Sequence, residues 1–319
     1  MKFAFKLLAA AHVAVAGLIA AAPAWAAWPE RPIEIVVGFS AGGGTDITAR
    51  TLAQHLGKAL GTSVVVNNKP GASGALGLSY VARAKPDGYT LGMTNFPGLL
   101  TLPIERQAGF TSSDFTYLGN LVRDPSAFSV AANSPYKTLA DLISAAKKAP
   151  GTISYGSTGA GTDDHLQMVM FEELTGVKLL HVPFPGAGPL KNAMLGGHVA
   201  VGGLNLGEVM PAGDTMRPLA QASANRSPLA PKVPTFREQR VDLVFASERG
   251  LVAPKGLPAD IEQKIAAALK TIAASPEFQA QMKQQFTEMD YLPGAEWKKR
   301  LDGAEAHFRK LWHTKRWAE

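Results

Sequence analysis

The chain has 319 residues, is 46% hydrophobic and 18% charged, carries a formal charge of +6 and contains no cysteine. Without cysteine there is neither a disulfide framework nor a lipid-bearing cysteine anchor, and basic residues scattered along the chain rather than gathered in a patch argue against a nucleic-acid partner. The length is enough for two ordinary domains, each held by its own core.

Residues 1–26 read as a secretory signal peptide: Lys2 and Lys6, an apolar run over residues 7–22, then Ala24-Trp25-Ala26 with small residues where the peptidase needs them. The run is short of the ~20 residues a membrane span requires, and no later segment can cross a bilayer. Cleavage near Ala26 leaves a mature protein free in the periplasm with a formal charge of +4.

From Ile33 the chain alternates β-branched runs with amphipathic stretches: a strand over 33–37, a helix over 45–60, a strand over 64–66 and a helix over 75–84. That βαβα order predicts a mainly parallel sheet covered by helices. A second copy begins near Ser126, with strands over 127–131, 153–156 and 179–182 and helices over 139–149 and 162–174. Thr45-Asp46 and Thr138 are polar helix starts. Arg123-Asp124-Pro125 and residues 223–244 are rich in turn formers and polar groups, and are expected to be hinge crossovers. A returning strand over 251–254 and a helix after Pro258, with Ile261, Ile265, Leu269 and Ile272 on one face, rejoin the first half. The expected division is a first lobe of 27–124 plus 244–319 and a second lobe of 125–243. The basic stretch from Lys298 to Arg316 is expected to be a solvated helix face.

Two loops carry the chemistry. Gly38-Phe39-Ser40-Ala41-Gly42-Gly43-Gly44-Thr45-Asp46 lies between a strand and a helix, where glycines let backbone N–H groups approach an anion and the helix terminus adds positive charge. Gly156-Ser157-Thr158-Gly159-Ala160-Gly161-Thr162-Asp163-Asp164 repeats the arrangement in the second half. Facing each other, the two would grip a carboxylate between sets of N–H donors, directly or through water. Ser40, Ser157, Thr158 and Thr162 can add hydroxyl donors, while Asp46 and Asp163 either cap their helices or face the solute. A Walker loop would need lysine where Gly44 stands, a dinucleotide fingerprint glycine where Asp164 stands, and a hydrolase elbow glycine where Tyr155 stands. The seven histidines contain no His-x-x-x-His pair, so neither a metal site nor a catalytic one is expected.

These loops, with Trp28-Pro29-Glu30-Arg31-Pro32-Ile33, Asn67-Asn68-Lys69-Pro70-Gly71-Ala72, Pro86-Asp87-Gly88-Tyr89-Thr90-Leu91, His181-Val182-Pro183-Phe184 and Arg226-Ser227-Pro228, resemble the tripartite tricarboxylate transporter substrate-binding receptors, the Bug-type periplasmic proteins, over essentially the whole mature chain. The resemblance implies the type II periplasmic-binding fold: two doubly wound α/β lobes joined by two crossovers, with the ligand cleft between them. It implies a monomeric receptor, not an enzyme, with no cofactor. Its partners would be a small carboxylate solute and the membrane subunits of a tripartite tricarboxylate-type transporter, or else a membrane sensor. Carried over by position, the ligand shell comprises Phe39, Ser40, Ala41, Gly42, Gly43, Gly44, Thr45 and Asp46; Thr94 and Asn95; Ser157, Thr158, Gly159, Ala160, Gly161, Thr162 and Asp163; Phe184, Pro185 and Gly186; and Asn205.

The chain departs from the family pattern at several of these places. Prolines usual near Gly38 and Ser40 or Ala41 are missing, tyrosine is common at Phe184, aromatic residues are common at Glu248-Arg249, and small neutral residues are common at Asp163. Glu248, Arg249 and Asp163 are therefore expected to bring charge to the cleft and favour a polar or amino-bearing acid. The plainer alternative is that Glu248 and Arg249 pair with each other at the rim, where an exposed pair contributes ~0–1 kcal/mol.

Overall fold

A computed structural model describes residues 28–314 and 316–317. The expected signal peptide lies outside the described residues. The first lobe is built around β1 (Ile33–Val37), an almost continuously buried apolar strand, as expected of a central parallel strand covered on both faces. It pairs in parallel with β2 (Val64–Asn68) and β3 (Thr90–Met93). Helix α1 (Gly44–Leu60) buries Leu52, Leu56 and Leu60 against them and ends on Gly61 in the left-handed conformation. Burial of each such leucine is worth about 1.5–3 kcal/mol. Helices α2 (Ala75–Ala82) and α3 (Gly98–Glu105) follow.

Strand β4 (Phe115–Ala131) ties the molecule together. Its first part pairs antiparallel with β9 (Ala246–Pro254), from Phe115 opposite Pro254 to Pro125 opposite Ala246. From Ser126 onward it pairs with β7 (Val201–Asn205) and β8 (Met216–Gln221) of the second lobe. Arg123-Asp124-Pro125, expected as a hinge crossover, is where β4 passes from one lobe to the other, and it does so as extended strand. Pro125, which has no N–H to give, sits where the ladder changes partners. The return crossover over 223–245 is irregular, as expected, apart from one 3-10 turn at Arg237–Gln239.

In the second lobe β5 (Ser154–Ser157) runs parallel to β6 (Leu180–Pro183) and β7. Helix α4 (Leu139–Lys148) starts at a capping box in which Thr138 and Asp141 bond each other's backbone N–H. Helices α5 (Asp163–Thr175), α6 (Ala187–Leu195) and the short α7 (Leu206–Val209) follow strands β5, β6 and β7. The first lobe is completed by α8 (Ala259–Ala274), α9 (Pro276–Gln284), β10 (Glu288–Pro293) and α10 (Gly294–Thr314). The strand order is β2-β1-β3-β9-β4-β7-β5-β6, with β8 and β10 also on β4. Separate cores form on the two sides: Ile35, Leu52, Leu91 and Leu269 in one lobe, Phe128, Tyr155, Phe171 and Phe236 in the other. In each lobe the strands deliver their glycine-rich ends to the same side, where the cleft lies. Among the described residues no helix is long and apolar enough to cross a membrane.

Candidate functional site

The first bend, between β1 and α1, packs against a second glycine turn. A Cβ on Gly38 would fall 2.6 Å from the carbonyl oxygen of Gly74, so only glycine lets the two backbones meet here. Asp46 holds the bend from beneath. Its Oδ2 accepts from Gly42 N at 2.9 Å and Arg50 Nε at 3.0 Å, and its Oδ1 from Asn68 Nδ2 at 2.9 Å. Burial alone would raise the Asp46 carboxyl, but Arg50, the Gly42 N–H and Asn68 together hold it below the ordinary carboxylate range.

The second bend, between β5 and α5, is held by other means. Thr158 donates to Asp164 Oδ2 through both its N–H, at 3.1 Å, and its hydroxyl, at 2.6 Å. Gly159 N–H donates to Ser157 Oγ at 3.1 Å, and Gly161 N–H to His165 Nδ1 at 3.1 Å. Accepting at Nδ1 requires a neutral ring; burial, with His181 and Arg106 nearby, pushes His165 down to about 3. His181 stacks on it, ring centroids 4.2 Å apart, and is itself lowered by burial. Ser157 Oγ lies 2.6 Å from His181 Nε2, the spacing of a nucleophile and its base. Yet Ser157 is fully buried and neither residue lines the cleft.

Between the bends sits a buried polar cluster. Arg249, 1% exposed, donates from Nη1 to Asp124 Oδ2 at 2.8 Å and from Nη2 to Asn205 Oδ1 at 2.9 Å. Asn205 Nδ2 donates to Asp163 Oδ2 at 2.9 Å, and Ser126 Oγ adds a longer bond at 3.3 Å. Glu208 accepts from Asn205 N at 3.0 Å and, across the cleft, from Gly44 N at 2.8 Å. Burial pushes Asp124 up to about 6 against the pull of Arg249, so with a guanidinium on it Asp124 is ionised at neutral pH. Burial likewise pushes Asp163 up to about 6 against its bond from Asn205. Asp164 stands well above the usual range, through burial first and then Asp163 and Glu208. Burial would depress Arg249, but Asp124 and Glu208 hold it above its ordinary value.

The two lobes touch directly. Ser40 N donates to Pro185 O at 3.1 Å, Thr101 Oγ1 to Gly161 O at 2.5 Å, and Arg106 Nη2 to Ala160 O at 3.3 Å. Between the two bends themselves what remains is a gap of about 10 Å³ lined by Phe39, Gly43, Gly44, Thr45, Asn95, Thr158, Asp163, Asp164, Ala187, Asn205 and Glu208, about the room of one water molecule.

Of the residues singled out in the sequence, Phe39, Gly43, Gly44, Thr45, Asn95, Thr158, Asp163 and Asn205 are thus brought together on one gap. Asp46 faces the underside of its bend with Gly42, and Thr94 is buried with its hydroxyl on Gly250 O. Ser40 meets Pro185 and Gly186 at the seam between the lobes, while Gly161 O accepts from Thr101 of α3 and Ala160 O from Arg106 just beyond it. Ala41, Ser157, Gly159, Thr162, Phe184 and Arg249 do not line the gap.

Two expectations need correction. Glu248 and Arg249 do not pair with each other: neighbours on a strand point to opposite faces, so Arg249 turns inward while Glu248 accepts from Trp297 Nε1 at 3.2 Å and Arg300 Nη1 at 2.6 Å. For the same reason Glu248 brings no charge to the cleft. Asp164, Ala187 and Glu208 line the gap but were absent from the sequence-derived ligand set. Asp164 belonged to the second loop as read, and Asn205-x-x-Glu208 is a capping box legible as a helix start.

Residues 48–300 match the family model described as the tripartite tricarboxylate transporter family receptor. A Cupriavidus necator protein, the "UPF0065 protein in gbd 5'region", is 38% identical over 284 residues, covering 84% of this chain and 83% of that protein. The solved structure of periplasmic binding protein BugD is similar with a TM-score of 0.85 at 31% identity, over 90% of this chain and 98% of that one. That of Rpa4515 from R. palustris, with adipate, has a TM-score of 0.85 at 30% identity over the same shares, 90% and 98%.

Proposed function

The chain belongs to the tripartite tricarboxylate transporter receptor family, the Bug-type periplasmic solute-binding proteins, and from that premise we propose that it captures a small carboxylate-bearing solute between its lobes and delivers it to membrane transporter subunits, without making or breaking a bond in it. In this reading the leader is removed near Ala26, residues 27–124 with 244–319 form one jaw, and 125–243 form the other. The observation that carries the proposal is the gap itself, in which two strand-to-helix bends from opposite lobes face each other across Asn95, Asp163 and Asn205.

The mechanism follows from the size of that gap. A space of about 10 Å³ admits no organic acid, so a solute enters only after the lobes part. At the mouth of the gap the cross-lobe bonds from Ser40, Gly44, Thr101 and Arg106 are few, with a net contribution of about 0.5–1.5 kcal/mol for each neutral one and about 1.5–3 kcal/mol for each with a charged partner, and water or solute can replace them; Arg249 to Asn205 and Gly207 to Asp124 join the lobes beside the crossover itself. The continuous strand β4 and the irregular return over 223–245 are the two places able to flex. A solute bridging both bends then favours the closed form, and a membrane partner that recognises both rims together reads occupancy. The adipate in Rpa4515 supports the acid class.

Titration of the mature protein with a panel of dicarboxylates, tricarboxylates, aromatic acids and amino acids tests the reading. At least one member should bind at one-to-one stoichiometry, stabilise the fold by about 2.7 kcal/mol at a hundredfold excess over its Kd, and be recovered chemically unchanged. Conversion of the bound acid, or no binding anywhere in the panel, would contradict it.

A further inference from the structure

The gap is charged in one sense only. Asp163, Asp164 and Glu208 line it, and no cationic side chain does. Arg249 is committed to Asp124 and Asn205, so its charge is already matched. Two lining residues each carry an acceptor without a donor: Asp164 Oδ1 and Asn95 Oδ1 are buried without a hydrogen-bond partner, and Asp164 as a residue is 1% exposed. A buried acceptor left unpaired is costly, so the group that completes this wall must donate.

The opposite wall points the same way. Glu208 already takes the Gly44 N–H at 2.8 Å, so one amide of the first bend that could serve an incoming acid is held by the protein's own carboxylate. A solute bearing only negative charges would add to three carboxylates already there. Among the described residues no group of three His, Asp or Glu side chains is placed to ligate a metal ion. What fits is an organic cation with several N–H donors, such as an ammonium.

We propose that the solute carries a cationic amino group beside its acid group, and that Asp164 and Asn95, with Asp163 next to them, receive the ammonium. The inference rests on the receptor reading and narrows it to amino acids or similar zwitterions.

Calorimetric titration near neutral pH with matched probes, L-aspartate against succinate, L-glutamate against glutarate, L-alanine against propionate and γ-aminobutyrate against butyrate, tests it. The expected result is that in at least one pair the amino member binds tenfold or more tightly than its partner. Equal or tighter binding of the amine-free acids overturns this inference and leaves the receptor reading standing. No binding by any probe overturns this inference, and the receptor reading falls with it only if the tricarboxylates and aromatic acids of the wider panel fail as well. Asp164→Asn should bring the preferred pair to within about threefold of parity, while the ligand-free protein melts no lower than wild type because a buried, half-paired carboxyl has been removed. If the preference survives in both Asp164→Asn and Asp163→Asn, the ammonium seat is elsewhere and the proposal fails.

Discussion

Gly44-Thr45-Asp46 and Gly161-Thr162-Asp163 are one tripeptide used twice at the mouth of the same cleft, two positions out of step with the helices they open. In the first bend the helix is capped by Gly43, so Asp46 is the third helical residue. From there its carboxylate reaches back past the cap to the Gly42 N–H and meets Arg50 one turn on. In the second bend the cap is Thr162 and Asp163 is the first helical residue. Its side chain extends to Asn205 and Ser126 on the gap, and Asp164 takes over the task of holding the loop. Register relative to the helix, rather than the local string, decides which acid holds its bend from beneath and which acids turn to the gap.

That contrast predicts unequal costs for removing the cation near each bend. Arg249→Met leaves Asp124 buried without its guanidinium, and the unfolding free energy should fall by about 3–5 kcal/mol in denaturant titration. A loss under ~1 kcal/mol would mean that the buried polar cluster relaxes around the missing guanidinium. Arg50→Met, at the first bend, removes a half-exposed partner of Asp46 and should cost no more than about 1 kcal/mol.

Between these extremes lies a pH experiment on the second bend alone. His165, pushed down to about 3, stays neutral in the folded state while the unfolded chain takes up a proton below its ordinary value near 6.5, so its contribution to stability rises with pH from about 3 to 6.5. Asp163, pushed up to about 6, keeps its proton in the folded state after the unfolded chain has lost it, so its contribution falls as pH rises from about 3.8 to 6. The two slopes oppose each other across the shared window. Asp163→Asn should therefore steepen the rise of stability with pH, and His165→Asn should flatten or reverse it, each by about 2–3 kcal/mol across the window. Parallel pH profiles for wild type and both variants would show that neither group titrates as its surroundings require.

Much of the architecture was legible in the residues. Alternating β-branched and amphipathic runs located the strands and helices, Thr138 capped α4 as its type suggests, and Ile261, Ile265, Leu269 and Ile272 are the buried face of α8. Both bends fell where glycines follow a strand. What stayed hidden depends on three-dimensional register. Glu208 reaches Gly44 from 164 residues away, and strand alternation separates Glu248 from Arg249 although they are adjacent in sequence. That the crossover at Arg123-Asp124-Pro125 is one continuous strand changing partners was not legible either.

The central claim, that solute enters between lobes which must part to admit it, can be tested with a cross-link. A Cβ built on Gly43 lies 3.5 Å from Ala187 Cβ across the cleft, within the range a disulfide spans, and the chain has no cysteine of its own to interfere. In the Gly43→Cys/Ala187→Cys protein, calorimetric titration with a solute that binds wild type should show no binding when oxidised and restored binding after reduction. Undiminished binding to the oxidised, fully cross-linked protein would place the solute outside the cleft and contradict the account.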